Sequence, residues 1–431
     1  MPIAERLPTP VVRVVAWRWF PHLACLVVAL VLRLAWVLWV DRQGFVLNDA
    51  MLYNANAVAI NQGLGFRPPQ GGPSAQWPPA YSTVLAGIYW LFGIRPLYGE
   101  IFNAVVGALT VPLLMLLIER VVDRRAAIVG GVMLAVLPGP ILWTDVLVTE
   151  TLYTAMFVLL LFVLAYATPT WRWVVVIGAV IGLGGLVRGE ALTWGLLPIV
   201  LFWRDLTRVQ LAKRVAGIAA VIAVCLAPWT IRNAIVMDAF VPVATNASAT
   251  LWSGHHAGAT GGQTYPPESY YQQFDQEPPL RELQSGKALR NDAIEYMVTH
   301  PIRELQLIPL KLIHLNRGDS YALDWVNDAP ETAPIAPINV ERIGVIADAA
   351  YYGLLTLFLL GTVVLGRAFW RTRMGRVFAA TLLTAVFLYG FLYYGNYRYR
   401  LPYEPLMVLV AATLLVRVWD RCRDHPAERP V

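Results

Sequence analysis

Apolar runs recur along this chain at close intervals, each set off from the next by an arginine-bearing turn or by a longer polar stretch. Runs of this length with so few charges predict membrane-spanning helices. The first covers residues 21–40, and the second, 97–118, follows a polar loop. Arg120, Arg124 and Arg125 precede a third run at 126–143, a brief turn separates it from 146–167, and Arg172 marks the next boundary. Residues 173–203 are apolar apart from Arg188-Gly189-Glu190 and are short for two crossings, which leaves a thin tilted hairpin or a re-entrant pair. Either returns the chain to the same side. Runs at 215–228, 343–365, 377–394 and 402–416 complete the set, while 81–92 is too brief to cross and is expected to lie against the bilayer.

Two polar stretches interrupt this rhythm, 41–82 and 229–342. In the first, a helix over 49–61 would put Asp49, Tyr53 and Asn56 on one stripe and present the carboxylate on the polar side of a helix at the membrane surface. Asn48-Asp49 before an apolar-periodic run is equally the signature of a helix N-cap on an ordinary loop. The second stretch is broken by Gly258-Ala259-Thr260-Gly261-Gly262, Pro266-Pro267 and Pro330, with an amphipathic helix expected over 283–299. It reads as a lid or small extramembrane domain. The resulting divisions are 1–40, the N-terminus and first span; 41–96, the first outer loop; 97–228, a transmembrane core; 229–342, the outer segment; 343–418, the last spans; and 419–431, a tail.

Composition agrees: 57% hydrophobic residues, 14% charged and a mean hydropathy of +0.54 over 431 residues exclude an ordinary soluble protein. The net charge of +6 follows from loop arginines and calls for no nucleic-acid partner. With the N-terminus inside, the inner loops hold more than half of the 34 Lys and Arg residues and only a quarter of the 28 acidic ones. The expectation is an all-α polytopic membrane protein of about ten spans, both termini cytoplasmic and the two long loops outside. Cys25, Cys225 and Cys422 are too scattered for a disulfide framework or a metal site.

The exceptions to the charge rule are the candidates for chemistry. Arg188, Arg398 and Arg400 fall at outer ends of spans, where a cation needs a carboxylate such as Glu190 or Glu404, or an anionic ligand. Guanidinium suits phosphate because it donates to two oxygens at once. A structural Arg–Glu pair with snorkelling is the plainer alternative. Glu150 opens a span on the same face, where it either complements the helix N-terminus or serves the site. Adjacent His255-His256 make a weak metal pair without further ligands, and Lys311 and His314, one turn apart, either face one ligand or belong to an amphipathic surface helix.

Taken in order, Asp49, Tyr53, Gly63-Leu64-Gly65-Phe66, Trp77-Pro78-Pro79-Ala80-Tyr81, Thr149-Glu150-Thr151-Leu152, Leu186-Val187-Arg188-Gly189-Glu190 and Pro228-Trp229-Thr230-Ile231-Arg232-Asn233 carry a resemblance. It continues through Asn246, Leu251-Trp252-Ser253-Gly254-His255-His256, Ala259-Thr260-Gly261-Gly262 and Tyr397-Arg398-Tyr399-Arg400-Leu401-Pro402. The chain resembles the GT-C class of membrane glycosyltransferases that use polyprenyl-phosphate sugars, the superfamily of the protein O-mannosyltransferases and lipid A aminoarabinose transferases. Ala80 and Ser82 depart from that class's Pro-Pro-Gly-Tyr-Pro stretch, and Asn48-Asp49-Ala50 from the Asp-Glu pair of the protein O-mannosyltransferases. That second departure puts a protein acceptor in doubt.

The resemblance implies an inverting transfer with Asp49 as general base and Glu150 as a second acidic residue orienting the acceptor or a cation. Arg398 and Arg400 are the first choice for holding the leaving phosphate, followed by Arg188, Arg232 and Lys311. Tyr53, Tyr81, His255, His256 and Tyr397 are the expected substrate contacts. The donor would be a polyprenyl-phosphate sugar and the acceptor a lipid, glycan or protein. Membrane lipids are the surrounding partner, no metal ligands are assigned, and a divalent cation is the one cofactor left open. The expected location is the plasma membrane, with the site on its outer face. Two other readings fit the same sequence, a lipid-linked sugar flippase or transporter and a non-catalytic binding subunit of the same fold.

Overall fold

Backbone in lipid must satisfy its own hydrogen bonds, and every regular element among the described residues is helical. The computed structural model describes residues 18–40, 49–67, 71–274, 279–327 and 335–424. The expectations that rest on residues 1–17, Asn48, Pro330 and residues 425–431 lie outside this set.

The helices are α1 (Phe20–Val40), α2 (Asp49–Asn61), α3 (Ala80–Phe92), α4 (Pro96–Val121), α5 (Arg124–Val136), α6 (Pro138–Leu142), α7 (Glu150–Tyr166), α8 (Trp171–Val187) and α9 (Leu196–Phe202). They continue as α10 (Arg208–Met237), α11 (Ala247–Gly254), α12 (Leu280–Thr299), α13 (Pro301–Leu315), α14 (Tyr321–Val326), α15 (Pro337–Val364), α16 (Arg373–Val386) and α17 (Glu404–Asp424). Among the described residues six helices are long and apolar enough to cross a membrane, or up to seven if one bent pair counts as a single span. α3, α7, α8 and the stretch Gly189–Phe202 are apolar but shorter than those spans.

The core forms around α4, which packs on α1, α5 and α7, with α17 wedged between α5 and α15. Val111, Leu114, Met115, Phe157, Leu161, Val408 and Val410 fill it, all fully buried. Dense packing of such side chains, not exclusion from water, holds helices together once they are in lipid.

Three spans depart from their expected outlines for local reasons. The run 126–143 is not one helix: it bends by 51° between α5 and α6, where Pro138 and Pro140 remove amide donors and clash with the preceding turn. The carbonyls freed there are taken by Arg33, a buried residue of α1 whose guanidinium donates to Leu134 O and Ala135 O. The run 146–167 becomes helical only at Glu150. The stretch 173–203 breaks at Arg188, which is extended at φ −149°, and continues as a 3-10 turn, Gly189–Gly195, before the seven-residue α9. That break turns Arg188 and Glu190 out of a helix and toward one end of the bundle.

Candidate active site

Position 49 is where the first loop meets the bundle. α2 begins at Asp49, and its stripe behaves as the period requires, with Tyr53 and Asn56 buried. It is fastened to α3 by Ser82 Oγ donating to Tyr53 O (3.1 Å), Tyr89 Oη to Asn54 Oδ1 (2.6 Å) and Asn61 Nδ2 to Ala86 O (3.3 Å). Tyr53 meets the Tyr81 ring edge-on at 5.4 Å, and Tyr81 Oη donates to Asn103 Oδ1 on α4. Asn103 in turn donates to Val146 O, just ahead of Glu150. One chain of buried contacts thus fixes Asp49 and Glu150 relative to each other.

Between them lies an ion-pair cluster. Glu150 Oε1 sits 2.9 Å from Arg188 Nη1 and 2.8 Å from Arg398 Nε, Asp49 Oδ2 sits 2.7 Å from Arg398 Nη2, and Glu190 Oε1 sits 3.4 Å from Arg188 Nη2. Glu150 is wholly enclosed, whereas the Asp49 side chain is 29% exposed. Of the two, Asp49 is the carboxylate a solute can touch. Arg398 lies over the Trp325 ring at 4.8 Å and Arg188 over Tyr399 at 5.1 Å, so aromatic faces also hold both guanidiniums.

The cluster forms one wall of a cavity of about 370 Å³. Asp49, Tyr53, Arg188, Glu190 and Arg398 line it on the bundle side; Gln76, Asn246, Thr250, Gln263 and Thr264 supply uncharged donors and acceptors; and Tyr265, Tyr271, Tyr393, Tyr394 and Tyr399 supply aromatic surface. A charged corner beside an amide, hydroxyl and aromatic wall is suited to a molecule with one anionic group and several hydroxyls.

The other expected residues lie elsewhere. Arg400 is committed to the protein: Nε faces Glu404, Nη1 donates to Leu315 O and Arg317 O, and Nη2 donates to Gly318 O and Asp319. All five of its N–H groups are used, leaving none for a phosphate. Arg232 clamps the first loop by donating to Ser74 O and Phe66 O and stacks on Trp229. Tyr81 is enclosed behind Tyr53, and Tyr397 packs edge-on against Tyr321 at 4.2 Å. None of these four lines the cavity.

His255 and His256 diverge. The first pairs with Glu304 through Nδ1 at 2.7 Å and with Leu392 O and Lys311 through Nε2; the second stacks on Trp252 at 4.1 Å and bonds Thr264 Oγ1. Burial pushes the Lys311 ammonium down to about 8 against the pull of Glu304. Burial and the Lys311 charge hold His255 below the usual histidine range, with Glu304 opposing. This triad stands behind the cavity and braces the segment that carries Tyr393 and Arg398. A Cβ at Gly395 would collide with the Lys311 carbonyl, and Gly395 N donates to Gly261 O. Among the described residues no group of three His, Cys, Asp or Glu is placed to hold a metal, and Asp49 and Glu150 converge on a guanidinium instead.

Sequence reasoning missed Asp319, Glu304 and Arg33. Charges inside or beside apolar runs were the available signal for Arg33, but nothing in spacing ties Asp319 to Arg400 or Glu304 to His255. It also passed over the amide and hydroxyl wall, whose residues have no motif.

Residues 76–231 match the family model of the dolichyl-phosphate-mannose-protein mannosyltransferases, a stretch that holds Glu150 and Arg188 but not Asp49 or Arg398. No curated protein sequence matches the chain. The oligosaccharyltransferase of Archaeoglobus fulgidus aligns over 96% of this chain and 53% of its own length, with TM-score 0.53 and 15% identity. A structure of that protein with an inhibitory peptide and a dolichol-phosphate covers 95% of this chain and 52% of its own, with TM-score 0.53 and 14% identity. The chain thus spans about half the length of these structures. ArnT from Cupriavidus metallidurans, bound to undecaprenyl phosphate, covers 96% of this chain and 82% of its own, but at 15% identity its TM-score of 0.46 carries no argument. On the shape shared with the archaeal enzyme, the fold of this chain is that of the GT-C membrane glycosyltransferases.

Proposed function

We propose that the chain is an inverting glycosyltransferase that moves a sugar from a polyprenyl-phosphate donor to an acceptor hydroxyl on the outer face of the membrane. The observation that carries this reading is the pairing of Asp49, the most exposed carboxylate of the cluster, with Arg398 at the edge of the 370 Å³ cavity. The family match and the fold shared with a lipid-phosphate-binding oligosaccharyltransferase support the donor class. Plasma-membrane residence is part of the same proposal.

In the resting cluster three carboxylates share two guanidiniums. An arriving donor phosphate competes with Asp49 for Arg398, whose remaining N–H groups have no protein partner among the described residues. Exchange of the Asp49–Arg398 contact for an Arg398–phosphate contact frees the Asp49 carboxylate to accept a hydrogen bond from the acceptor hydroxyl. Asp49 then takes the acceptor's hydroxyl proton as its oxygen attacks the anomeric carbon. The bond from that carbon to the phosphate oxygen breaks, and its electron pair leaves on polyprenyl phosphate, held by Arg398 with Arg188 behind it. Glu150, shared by both arginines, fixes their forks and takes no proton. Tyr53 and the cavity tyrosines offer faces to the sugar. Donor and product share a lipid anchor, so the tail never leaves the bilayer.

The test is single-turnover transfer in reconstituted membranes with radiolabelled polyprenyl-phosphate sugars and a crude lipid and glycan extract as acceptor. Wild type transfers, and Asp49→Asn loses about 10²- to 10⁴-fold while remaining folded. Undiminished transfer by Asp49→Asn removes Asp49 from the mechanism. Donor binding without transfer by wild type, across several sugars, overturns the enzyme reading itself.

A further inference from the structure

Arg33 is a buried charge that the mechanism above does not use. It lies seven residues inside the Val40 end of α1, about 10 Å along the helix axis, where a span is in hydrocarbon. Val31 and Leu32 beside it are bare, whereas Arg33 is 1% exposed and faces the bundle. Three carbonyls meet its fork: Nη1 donates to Ala29 O and Ala135 O, and Nη2 donates to Leu134 O. Carbonyls are neutral. They turn their dipoles to the guanidinium and leave its full charge in place. Arg188, Arg398 and Arg400 each face a carboxylate, but Arg33 forms no ion pair among the described residues. A lone charge inside a membrane bundle is costly and calls for an opposite one.

The guanidinium also has a donor to spare, and that donor faces a small void. Nε of Arg33 has no hydrogen-bond partner among the described residues, and Arg33 borders a cavity of about 20 Å³ with Gly107, Thr110, Thr151, Thr154 and Leu401. The missing side chain of Gly107 makes the space: a Cβ there would stand 2.9 Å from Nε and 3.4 Å from Thr151 Cγ2. Thr110 and Thr154 donate their hydroxyl protons to Val106 O and Glu150 O. The Thr151 hydroxyl has no such partner among the described residues and keeps its proton to donate. The volume admits one species of about the size of water. Water would satisfy Nε, yet it carries no charge to set against the guanidinium. A monatomic anion does both.

We infer that this void is a binding site for one small monovalent anion of the chloride class, held by Arg33 Nε within the membrane bundle. Phosphate, sulfate and carboxylates are excluded by size. The site shares no lining residue with the cavity that holds Asp49, so the inference stands apart from the glycosyltransferase reading. Four helices converge on it: α1 through Arg33, α4 through Gly107 and Thr110, α5 through Leu134, and α7 through Thr151 and Thr154. The bound anion neutralises Arg33 and so lets its fork stay on the carbonyls that the Pro138 bend frees.

The test is equilibrium binding of chloride-36 to the full-length protein in detergent, read by scintillation proximity with gluconate holding the ionic strength constant. Wild type binds about one ion per chain saturably, bromide competes, and excess inorganic phosphate leaves the label in place because it reaches only the outer cavity. Arg33→Met keeps the stem, deletes the charge and loses binding at least about 10-fold. Gly107→Ala keeps Arg33 but fills the void, and it loses binding to a similar degree; it decides the matter where Arg33→Met does not fold. Absence of saturable binding by wild type gives the void to water and overturns the inference. Undiminished binding by either variant, or displacement by inorganic phosphate, puts the ion elsewhere and overturns it as well. Chloride also raises the wild-type thermal midpoint by a few degrees between about 1 and about 300 mM, and Arg33→Met does not respond. An equal rise in Arg33→Met is a general salt effect and counts against the site. No transfer is measured, so failure of this inference and failure of the enzyme reading are distinguishable.

Discussion

Arg398 and Arg400 are two residues apart and of one type, and both are buried, yet they do opposite things. Arg400 faces Asp319 and Glu404 with three backbone carbonyls closing the remaining donors and lies against the Tyr351 ring at 3.4 Å. It is a saturated joint that ties α17 to the turn after α13. Arg398 meets Asp49 and Glu150 at the border of a cavity and keeps donors to spare. The difference lies in what each leaves unsatisfied, and a cation with nothing unsatisfied cannot greet a ligand.

The largest effect should come from exchanging the fork of Arg398 for a point charge. Arg398→Lys keeps the pairing with Asp49 but loses the two-pronged grip, so transfer in the single-turnover assay falls about 10²- to 10³-fold. The thermal midpoint in detergent stays close to wild type. A midpoint collapse with residual activity per folded molecule unchanged would make Arg398 a second structural joint and break the comparison.

Arg400→Lys should show the reverse. Only three donors remain for five acceptors, so at least two buried oxygens lose their partner, at a cost of about 1–3 kcal/mol each. That is a large share of the 5–15 kcal/mol typical of a folded domain, so yield and thermal midpoint drop sharply. The molecules that do fold transfer sugar at nearly the wild-type rate. A normal midpoint with lost transfer would return Arg400 to the phosphate cradle.

Much of this was open to reading in the sequence. The stripe of Asp49, Tyr53 and Asn56 follows from period alone, and α2 has the limits that the period sets. Glu190 and Glu404 are the local partners that misplaced arginines demand, and both pair as such. Other contacts join residues far apart: Arg398 with Asp49 across 349 positions, and Arg400 with Gly318 across 82. Periodicity reports one helix at a time and is silent on which ends meet. Arg398 and Arg400 were therefore indistinguishable, although the structure gives one to a cavity and the other to a joint. The break at Pro138 was legible in principle, yet the apolar run through it was the stronger signal.

A smaller effect separates the two regions by pH. Lys311 has an ordinary pKa of 10.5 in the unfolded chain and about 8 when folded, because burial outweighs the attraction of Glu304. Between those values the unfolded chain binds the extra proton, so stability rises with pH from about 8 to 10.5, and the cost of burying the ammonium is fully present below 8. The thermal midpoint should climb across that window by an amount corresponding to about 3 kcal/mol. Lys311→Met, which keeps the stem and deletes the charge, should remove the climb and raise the midpoint below pH 8. Because Lys311 braces the segment leading to Arg398 without lining the cavity, transfer by Lys311→Met should change by less than about 10-fold. A loss as deep as that of Arg398→Lys would mean that Lys311 touches the donor.

The smallest effect tests how the first loop is held. Tyr81 Oη donates to Asn103 inside a fully enclosed contact, so Tyr81→Phe deletes one hydrogen bond and leaves Asn103 Oδ1 without its donor. That costs about 1–2 kcal/mol. The ring remains against Tyr53 at 5.4 Å, so α2 and Asp49 keep their positions and transfer stays within a few-fold of wild type. The thermal midpoint should fall by a few degrees in detergent. Tyr81→Ala removes the ring as well, and with it the face on which Tyr53 rests, so Asp49 is no longer aimed at the cavity. Its transfer should drop far more than its midpoint does, and equal proportional losses in both variants would show that the hydroxyl, not the ring, sets the angle of the base.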